Sequence, residues 1–434
     1  MSRIAPGRHR PRRHRPFAGA HSAALALAGW LLASTCACGP AHAEHAAAPR
    51  PRGAAYASLS PFKCGNNTLA CATSATPVWA GDGALWLAWV ANGDVMVGHA
   101  PDGSARITRS AVVGRYGALA DIGPDARVQI AIDAQGRIVL VFGIFKDEQW
   151  NAQVLVATSH DGGKTFGTPH PVTPDAASQR FASLGMAPDG ALFVAWVDKR
   201  LVAAAARQGR KVAGASIAYA WSTDGGASFS DARLAHETSC ECCRIGVALP
   251  EPERPVVLFR DLAEPGVRDH ALLAFGARHE PGALHRVAVD DWHIDACPHH
   301  GPALAVGGEG RLHAAWYTAG RARQGVFYAH SPDGGRSFSA PMRVGRDGER
   351  AGRPALLARG PDVWLAYKAF DGQRTTLYVQ RSRDAGQSWS APEALRSSVG
   401  YTDHPMLGWR SGEPMLSWLT HDEGLHLTNL RGAR

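Results

Sequence analysis

One eight-residue pattern occurs four times in this chain, at residues 159–166, 222–229, 331–338 and 382–389. Each copy has the order Ser, x, Asp, x, Gly, x, Ser or Thr, and then Phe or Trp. The Asp side chain can accept hydrogen bonds from nearby backbone N–H groups, and Gly supplies the positive φ that a tight turn needs. A repeated turn predicts a repeated supersecondary unit. We therefore assign a scaffold role to these repeated octapeptides.

A second repeat consists of apolar runs that precede the octapeptides. Turns with Gly or small residues lead into alternating runs that end in an aromatic residue, at residues 83–89, 136–142, 190–196 and 310–316, with weaker copies ending at Phe259, Tyr367 and Trp418. Their spacing of roughly 50 to 60 residues suits one four-stranded antiparallel sheet per unit. The sequence thus predicts an all-β chain, a β-propeller of four-stranded antiparallel blades over residues 55–434, with seven blades favoured and six possible. We expect residues 56–61 to complete the last blade, because this pairing leaves no free edge strand.

The N-terminal residues differ in composition from the rest of the chain. Six arginines and no acidic residue precede an apolar stretch at residues 18–34, and Ala41-His42-Ala43 fits a signal-peptide cleavage site. We predict a signal peptide at residues 1–43, a flexible tail at residues 44–54, and a periplasmic or secreted protein. A lipoprotein attached through Cys36 and a twin-arginine substrate are weaker alternatives. No later stretch is apolar enough to form a transmembrane segment.

The charge of the chain excludes one class of function. The formal net charge of +8 falls to about +2 without the six leader arginines. A net charge this small does not provide the strongly positive surface with which proteins bind nucleic acids. The densest remaining basic run, residues 199–211, is predicted to be a solvated loop, and we expect the protein to be a monomer.

Two cysteine-rich phrases begin neighbouring units. In a propeller, the starts of the inner strands converge on one axial mouth, and the phrases at residues 240–244 and 295–302 occupy two such starts. Thiolate and imidazole groups suit Zn²⁺ or Cu(I). If this set binds a metal, the cofactor would be copper or zinc, with the candidate ligands Cys240, Cys242, Cys243, Cys297, His299 and His300.

Structural disulfide bonds are the favoured use of these cysteines, and a metal site is the alternative. Residues 44–434 contain an even number of cysteines, which is typical of exported proteins with disulfides. Cys64 and Cys71 form a natural pair across a short loop, and Cys297 is available to one member of the cluster. The adjacent Cys242 and Cys243 argue against complete pairing, because bridging neighbours strains the peptide between them. Structural disulfides, a metal site and redox chemistry all stay open at this point.

The repeated octapeptide resembles the Asp box, or BNR repeat, of sialidase-like β-propellers. The Cys-x-Cys-Cys-Arg phrase at residues 240–244 and the Cys-Pro-x-x-Gly-Pro phrase at residues 297–302 are similar to those of an exported bacterial subgroup of that superfamily. The resemblance covers nearly all of residues 55–434 and implies the propeller fold, although the sialidases themselves have six blades. The resemblance is specific for the fold and much weaker for the residues of a sialidase active site.

A site like that of the sialidases would combine an arginine triad for the substrate carboxylate with a Tyr nucleophile, its Glu base and an Asp acid/base. The resemblance implies an arginine clamp of Arg180, Arg244 and Arg353, and Asp403 and His404 join the ligand-binding set because they lie at the start of another inner strand. It implies a catalytic set of Tyr401, Glu241 (with Glu237 as the other choice of base) and Asp121. The Phe/Tyr-Arg-Ile-Pro phrase that carries the first triad arginine in sialidases does not occur before the first octapeptide. Ion pairs that line the central channel are the alternative role for the arginines.

Two functional hypotheses follow from these patterns. The first is an exported propeller with a binding or assembly role, which holds a metal ion or an anionic ligand at an axial mouth lined by Cys, His and Arg. Its partner would be a small anionic ligand, a glycan or another exported protein, and not a nucleic acid. The alternative is a retaining exo-α-sialidase with Tyr401 as the nucleophile and the arginine clamp for the sialic acid carboxylate.

Overall fold

The computed structural model describes residues 64–432, apart from residues 263, 265, 279 and 347. The predicted signal peptide, the tail and residues 56–61 lie outside the described residues. Seven antiparallel sheets account for most of the described chain, and their strands follow sequence order within each sheet. Six sheets have four described strands and the last has three, so the expected contribution of residues 56–61 to the last blade stays a prediction.

The first four blades span residues 75–286. Blades 1 and 2 comprise β1 (Ala75–Trp79), β2 (Leu85–Ala91), β3 (Asp94–Ala100), β4 (Arg109–Arg115), β5 (Gln129–Ile132), β6 (Ile138–Phe145), β7 (Ala152–Ser159) and β8 (His170–Pro171). Blades 3 and 4 comprise β9 (Gln179–Met186), β10 (Leu192–Asp198), β11 (Ala215–Ser222), β12 (Arg233–Ser239), β13 (Gly246–Glu251), β14 (Arg254–Arg260), β15 (His270–Ala277) and β16 (Glu280–Arg286).

The last three blades span residues 303–429. Blades 5 and 6 comprise β17 (Ala303–Val306), β18 (Leu312–Ala319), β19 (Gln324–Ser331), β20 (Met342–Val344), β21 (Arg350–Arg359), β22 (Asp362–Phe370), β23 (Thr375–Ser382) and β24 (Glu393–Ser398). Blade 7 comprises β25 (Met406–Arg410), β26 (Glu413–Thr420) and β27 (Gly424–Asn429).

The first strands of the blades form a closed inner ring. Strands β1, β5, β9, β13, β17, β21 and β25 contact one another in this order, and β25 also contacts β1. The protein is therefore a seven-bladed β-propeller, which confirms the favoured blade count over the alternative of six. The first strand of each blade lies beside the axis, so the residues at its start face a common mouth.

Apolar clusters between neighbouring blades hold the ring together. Trp196 of blade 3 packs with Val139 and Val141 of blade 2, and all three side chains are buried. Leu419 of blade 7 lies in one cluster with Leu87 of blade 1, so the same type of packing closes the ring. Burial of large apolar side chains is the main favourable term in folding, and here it acts between sheets.

The repeated octapeptides connect the third and fourth strands of blades 2, 3, 5 and 6. In the copy of blade 5, the Asp333 carboxylate accepts hydrogen bonds from the Ser337 backbone N–H at 3.0 Å and from its hydroxyl at 2.6 Å. The second glycine of this copy, Gly335, has a φ of +93°, and a Cβ there would lie 2.4 Å from Leu272 of blade 4. The Gly is thus required both by the turn and by the packing between blades.

Residues 199–211 contain the α-helix α1 (Arg200–Arg207), so the prediction of a solvated loop was wrong there. A run of alanines favours helix, since Ala has the highest helix propensity. The Asp198 carboxylate accepts a hydrogen bond from the Arg200 N–H at 2.8 Å, where the helix begins. The described part of the chain also contains three short 3₁₀ segments, at Leu69–Cys71, Gly117–Leu119 and Gly308–Gly310. No described helix has the length and apolar character that crossing a membrane requires.

Candidate functional site

An aspartate between two arginines lies at the axial mouth. The Asp125 carboxylate, just ahead of β5, is 3.3 Å from Nη1 of Arg244 and 3.2 Å from Nη1 of Arg353. Arg244 also approaches Nδ1 of His404 at 3.1 Å and donates a hydrogen bond to the backbone carbonyl of Pro354 at 3.2 Å. Three predicted ligand-binding residues therefore come together, but around a carboxylate that belongs to the protein itself.

A second ion pair lies beside the first. Arg127 and Asp403 are both almost fully buried, and Nη2 of the arginine is 2.7 Å from the carboxylate. Asp403 also accepts hydrogen bonds from the backbone N–H groups of Ala75 at 2.9 Å and His404 at 2.6 Å. This aspartate thus ties blade 7 to blades 1 and 2 and has a structural role that its charge makes strong.

Two partly buried titratable side chains border this network. Lys368 of β22 donates hydrogen bonds to the Thr402 carbonyl at 2.7 Å and to the Asp403 carbonyl at 3.2 Å, and burial lowers the pKa of its ammonium group to about 8. Burial, with the charge of Asp403 acting in the same direction, raises the pKa of Tyr401 above its usual value. A tyrosine nucleophile needs the opposite shift, because the phenolate is the reactive form.

Two inner strands contain bulges that redirect side chains at the mouth. The pairing of β9 with β10 shifts register between Ala195 and Val197, and the pairing of β21 with β22 shifts between Gly352 and Ala355. Phe181 and Arg353 lie in these bulges with positive φ values of 54° and 57°. Non-glycine residues in this conformation are strained, and such strain concentrates at functional sites.

Three cysteines form a compact turn between blades 3 and 4. The Sγ atom of Cys240 lies 3.5 Å from that of Cys242 and 3.2 Å from that of Cys243. All three side chains are buried, and the ligand atoms of the three residues lie within 4.8 Å of one another. The turn therefore directs three thiols to one point.

A segment ahead of blade 5 brings a fourth thiol and an imidazole to the same place. Cys297 and His299 are exposed, and their ligand atoms lie within 4.8 Å of each other and of the Cys242 Sγ atom. Hydrogen bonding with the Cys242 thiol lowers the pKa of Cys297 to about 7. The predicted disulfide between Cys64 and Cys71 is present, whereas Cys240, Cys242, Cys243 and Cys297 are free.

A glycine allows the segment of Cys297 to lie against the cysteine turn. A Cβ atom at Gly301 would lie 2.1 Å from Cγ of Arg244 and 2.4 Å from its carbonyl oxygen. The φ of Gly301 lies outside the left-handed region, so this close approach, and not the backbone conformation, explains the glycine. The two cysteine-rich phrases are thus held together by backbone contact as well as by their side chains.

The surroundings of the thiols are positively charged. Arg268 donates a hydrogen bond from Nη1 to the Cys240 Sγ atom at 3.3 Å. Hydrogen bonds from the Cys242 and Cys243 thiols are the main cause that holds the pKa of Cys240 far below its usual value, and the charge of Arg268 acts in the same direction. This environment favours the thiolate form of Cys240, which is the metal-binding form of cysteine, while the hydrogen bonds to Cys240 raise the pKa of Cys242 and Cys243.

The remaining predicted site residues, Asp121, Arg180 and Glu241, form ion pairs within the protein. Asp121 and Arg180 form a bidentate ion pair at 2.8 and 2.9 Å, and burial raises the pKa of Asp121 against the opposing charge of Arg180. Glu241 is 2.5 Å from Nζ of Lys199. Both catalytic carboxylates of the predicted set are therefore engaged by cations, and Arg180 is paired with Asp121 while Arg244 and Arg353 share Asp125.

His300 belongs to neither thiol group among the described residues. Its ring stacks on Tyr317 with 4.1 Å between centroids, and burial lowers its pKa to about 3. It lines a cleft of about 580 Å³ between blades 5 and 6, together with Arg350, Arg353 and Phe370. The cleft is thus bordered by aromatic and cationic groups.

Sequence reasoning missed Asp125, Arg127, Arg268 and Lys368. Asp125 and Arg127 lie directly ahead of β5, which is the position that was searched in the other blades. The same rule, applied to the unit that ends at Phe142, would have found them. Arg268 precedes a third strand and Lys368 lies on a second strand, where the sequence offers no comparable signal.

Comparisons with known proteins support the fold and add no family assignment. No protein-family model matches the chain, and no curated protein matches it. A PL25 ulvan lyase bound to -[GlcA(1-4)Rha3S]- has a similar structure with a TM-score of 0.53 at 10% sequence identity, covering 81% of this chain and 92% of the lyase. The polysaccharide lyase Uly1 has a TM-score of 0.52 at 11% identity, covering 85% and 92%. A Hadza microbial sialidase has a TM-score of 0.44 at 11% identity, covering 80% and 76%.

Proposed function

We propose that this protein is an exported binding protein for a soft metal ion, Cu(I) or Zn²⁺. The observation that carries the proposal is the convergence of Cys240, Cys242, Cys243, Cys297 and His299, whose ligand atoms form two overlapping groups, each within 4.8 Å. Four thiols and an imidazole are the donor set that these ions prefer. The predicted leader supports delivery to the periplasm or the exterior.

The distances between the thiols fit a metal site. Zn–S bonds of about 2.3 Å in a tetrahedral site imply S···S separations of roughly 3.8 Å. The observed separations of 3.2 and 3.5 Å from Cys240 are within a small side-chain adjustment of that value. A bound metal ion would stabilise the thiolate form of all three cysteines, whose negative charges would otherwise repel one another.

The axial arginines support a binding role over sialoside hydrolysis. Asp125 occupies the position between Arg244 and Arg353 at which the carboxylate of a substrate would have to bind. The predicted base Glu241 is paired with Lys199, while the pKa of Tyr401 is raised. These contacts oppose the alternative hypothesis of an exo-α-sialidase with Tyr401 as its nucleophile.

Metal analysis of the purified protein tests the proposal. The full chain would be expressed with its leader, purified without oxygen, and analysed for copper and zinc per protein. We expect stoichiometric metal in the unmodified protein and its loss in Cys242→Ser. The matched control is the double substitution Cys64→Ser and Cys71→Ser. It removes the two sulfur atoms of the disulfide and leaves the four cysteines of the cluster intact. Absence of copper and zinc after reconstitution of the reduced protein would overturn the proposal.

A sialoside assay tests the alternative directly. We expect no turnover of a fluorogenic sialoside by the purified protein. Turnover that Tyr401→Phe abolishes would establish the hydrolase and overturn the assignment of a binding role.

A carbohydrate ligand is a second candidate, favoured by the cleft between blades 5 and 6. Tyr317 and Phe370 offer apolar faces, and Arg350 offers a charge that matches a carboxylate or sulfate, beside the lining carboxylate of Glu349. Its volume of about 580 Å³ lies within the usual range of ligand pockets. The ulvan lyase with a similar fold was solved with an oligosaccharide of GlcA and Rha3S.

Titration with an acidic oligosaccharide tests this second candidate. The probe is a glucuronate-containing tetrasaccharide, with cellotetraose as the neutral control. We expect a saturable change in Trp fluorescence with the acidic probe only, and weaker binding in Arg350→Gln. Equal responses to both sugars, or no response to either, would exclude an acidic-glycan site.

A further inference from the structure

The two donor groups of the thiol cluster share one residue. Cys240, Cys242 and Cys243 form the first group, and Cys242, Cys297 and His299 form the second. We infer that the cluster holds two metal ions bridged by the Cys242 sulfur, an inner ion at the buried thiols and an outer ion at the exposed pair. This inference rests on the proposed function and specifies its stoichiometry and its ion.

The inner position is enclosed by protein. Cys240, Cys242 and Cys243 belong to the apolar cluster between blades 3 and 4 and are 1%, 4% and 2% exposed. Their thiols come from one turn, so the backbone fixes their positions relative to one another. The hydrogen bond from Arg268 fixes Cys240 from the side of blade 4. An ion at this position would be surrounded by buried side chains, and Cys242 is the donor that it would share with the exposed group.

The outer position lies at the surface of the same cluster. Cys297 and His299 are exposed, and His299 has a positive φ of 50°, which turns its ring toward blade 3. There the ring meets Phe181 edge-on, with 6.4 Å between centroids. The donors Cys297 and His299 therefore come from a different segment of the chain than the inner thiols. The two groups of donors share Cys242.

The number of protein donors at each position favours Cu(I) over Zn²⁺. If Cys242 bridges, each position has three protein donors, and neither reaches the four that structural Zn²⁺ normally takes. Cu(I) accepts trigonal sets of thiolate and imidazole, and a thiolate sulfur has enough lone pairs to bridge two such ions. Two Cu(I) ions and Arg268 would together offset three of the four thiolate charges, whereas free thiolates at these distances would repel one another.

The two positions differ in their access to solvent. The outer ion is held by exposed donors, so a competing thiol or chelator can replace them one at a time. The inner ion can leave only after the outer position has been vacated, because Cys242 separates it from the surface. The arrangement thus predicts one readily exchanged copper and one retained copper in each molecule.

Anaerobic titration with Cu(I) tests the inference. The reduced full chain would be titrated with Cu(I) supplied as its acetonitrile complex, and bound copper would be measured after desalting against a colorimetric Cu(I) chelator. We expect two equivalents in the unmodified protein and one in the double variant Cys297→Ser and His299→Ala. These two side chains are exposed, so the variant keeps its fold, and its thermal unfolding serves as the check. The double substitution Cys64→Ser and Cys71→Ser, measured in parallel, should keep both equivalents.

The outcomes separate the inference from the proposed function. One equivalent in the unmodified protein would overturn the bridged pair and leave the metal-binding role intact. No bound copper or zinc would overturn both. Two equivalents that persist in the Cys297→Ser and His299→Ala variant would also overturn the inference, because the outer ion would then lie elsewhere. Release kinetics give an independent readout, since we expect half of the copper to pass to the chelator at least 10-fold faster than the rest.

Discussion

Arg268 donates a hydrogen bond to the sulfur of Cys240, with 3.3 Å between Nη1 and Sγ. The arginine is thereby a positioning residue for the thiol cluster, because it both orients the sulfur and favours its charged form. Outer partners of metal ligands typically contribute about 10–100-fold to metal affinity. We expect Arg268→Gln to weaken Cu(I) binding by about that factor.

The loss should grow as the pH falls. Hydrogen bonds from the Cys242 and Cys243 thiols are the main cause of the low pKa of Cys240, and loss of the cation removes a smaller contribution of the same sign, so protons compete with the metal somewhat more effectively at acidic pH. Competition titrations at several pH values would show a steeper decline in Arg268→Gln than in the unmodified protein. The control is Arg254→Gln, since this exposed arginine pairs only with Glu251 at the surface. A parallel pH dependence in both variants would contradict the role of Arg268.

Replacing Asp125 should destabilise the propeller strongly. Asp125→Asn leaves Arg244 and Arg353 close together in a largely buried site, and removing one partner of such an ion pair costs about 3–5 kcal/mol. Denaturant unfolding would measure the change. The control is Arg115→Gln, because the Arg115 side chain is 71% exposed and surface ion pairs contribute about 0–1 kcal/mol. Equal effects of the two substitutions would show that the axial ion pairs are not the stabilising element.

Gly301→Ala should lower both stability and metal affinity. The new Cβ would collide with Arg244, and overpacking of this kind costs about 1–3 kcal/mol. Because residues 297–299 precede this contact, the displaced segment should carry Cys297 and His299 away from Cys242. Gly81→Ala is the matched control, since a Cβ there has no atom within 4 Å. Unfolding curves and Cu(I) titrations of both variants would check the prediction, and unchanged copper binding in Gly301→Ala would argue against it.

The octapeptide turns should make stability depend on acidic pH. Hydrogen bonds from Ser388 lower the pKa of Asp384 to about 2, below the value of about 3.9 for an unfolded Asp. A depressed pKa in the folded state stabilises the fold above about pH 4, and this contribution is lost as the pH falls toward 2. Asp384→Asn should therefore flatten the stability curve in that interval. Denaturant midpoints between pH 2 and 7 would test this, with Asp231→Asn, outside the octapeptide, as the control.

The architecture was predictable because its signals are periodic. The apolar runs recur once per blade and end at the second strands, as at Trp89 of β2 and Trp316 of β18. Counting these runs leads to seven blades, whereas the family resemblance alone would have suggested six. Residues 199–211 were mispredicted because charge was weighed above the helix propensity of the alanines.

The site was predictable only in part, since its chemistry depends on where distant segments meet. The convergence of Cys243 and Cys297 could be anticipated from the adjacency of blades 4 and 5. The position of Asp125 ahead of β5 marked it as a residue of the axial mouth, but no sequence pattern indicated that its carboxylate would lie between Arg244 and Arg353. The sequence also contained no sign that Lys368 would be partly buried. The alternation of apolar and polar residues along β22 is the same whether a lysine faces the central channel or the outer surface.

The hydrogen bond from Ala75 to Asp403 joins residues 328 positions apart. Since Asp403 also binds Arg127, and Arg244 and Arg353 meet at Asp125, the axial network draws on five blades. Closing loops of this length carries a large entropic cost before any contact compensates for it. The network is therefore a late product of folding, completed only after the ribosome has released the C-terminal blade. A chain truncated before residue 403 would lack Asp403, so Arg127 and the backbone N–H of Ala75 would both lose the carboxylate that joins them.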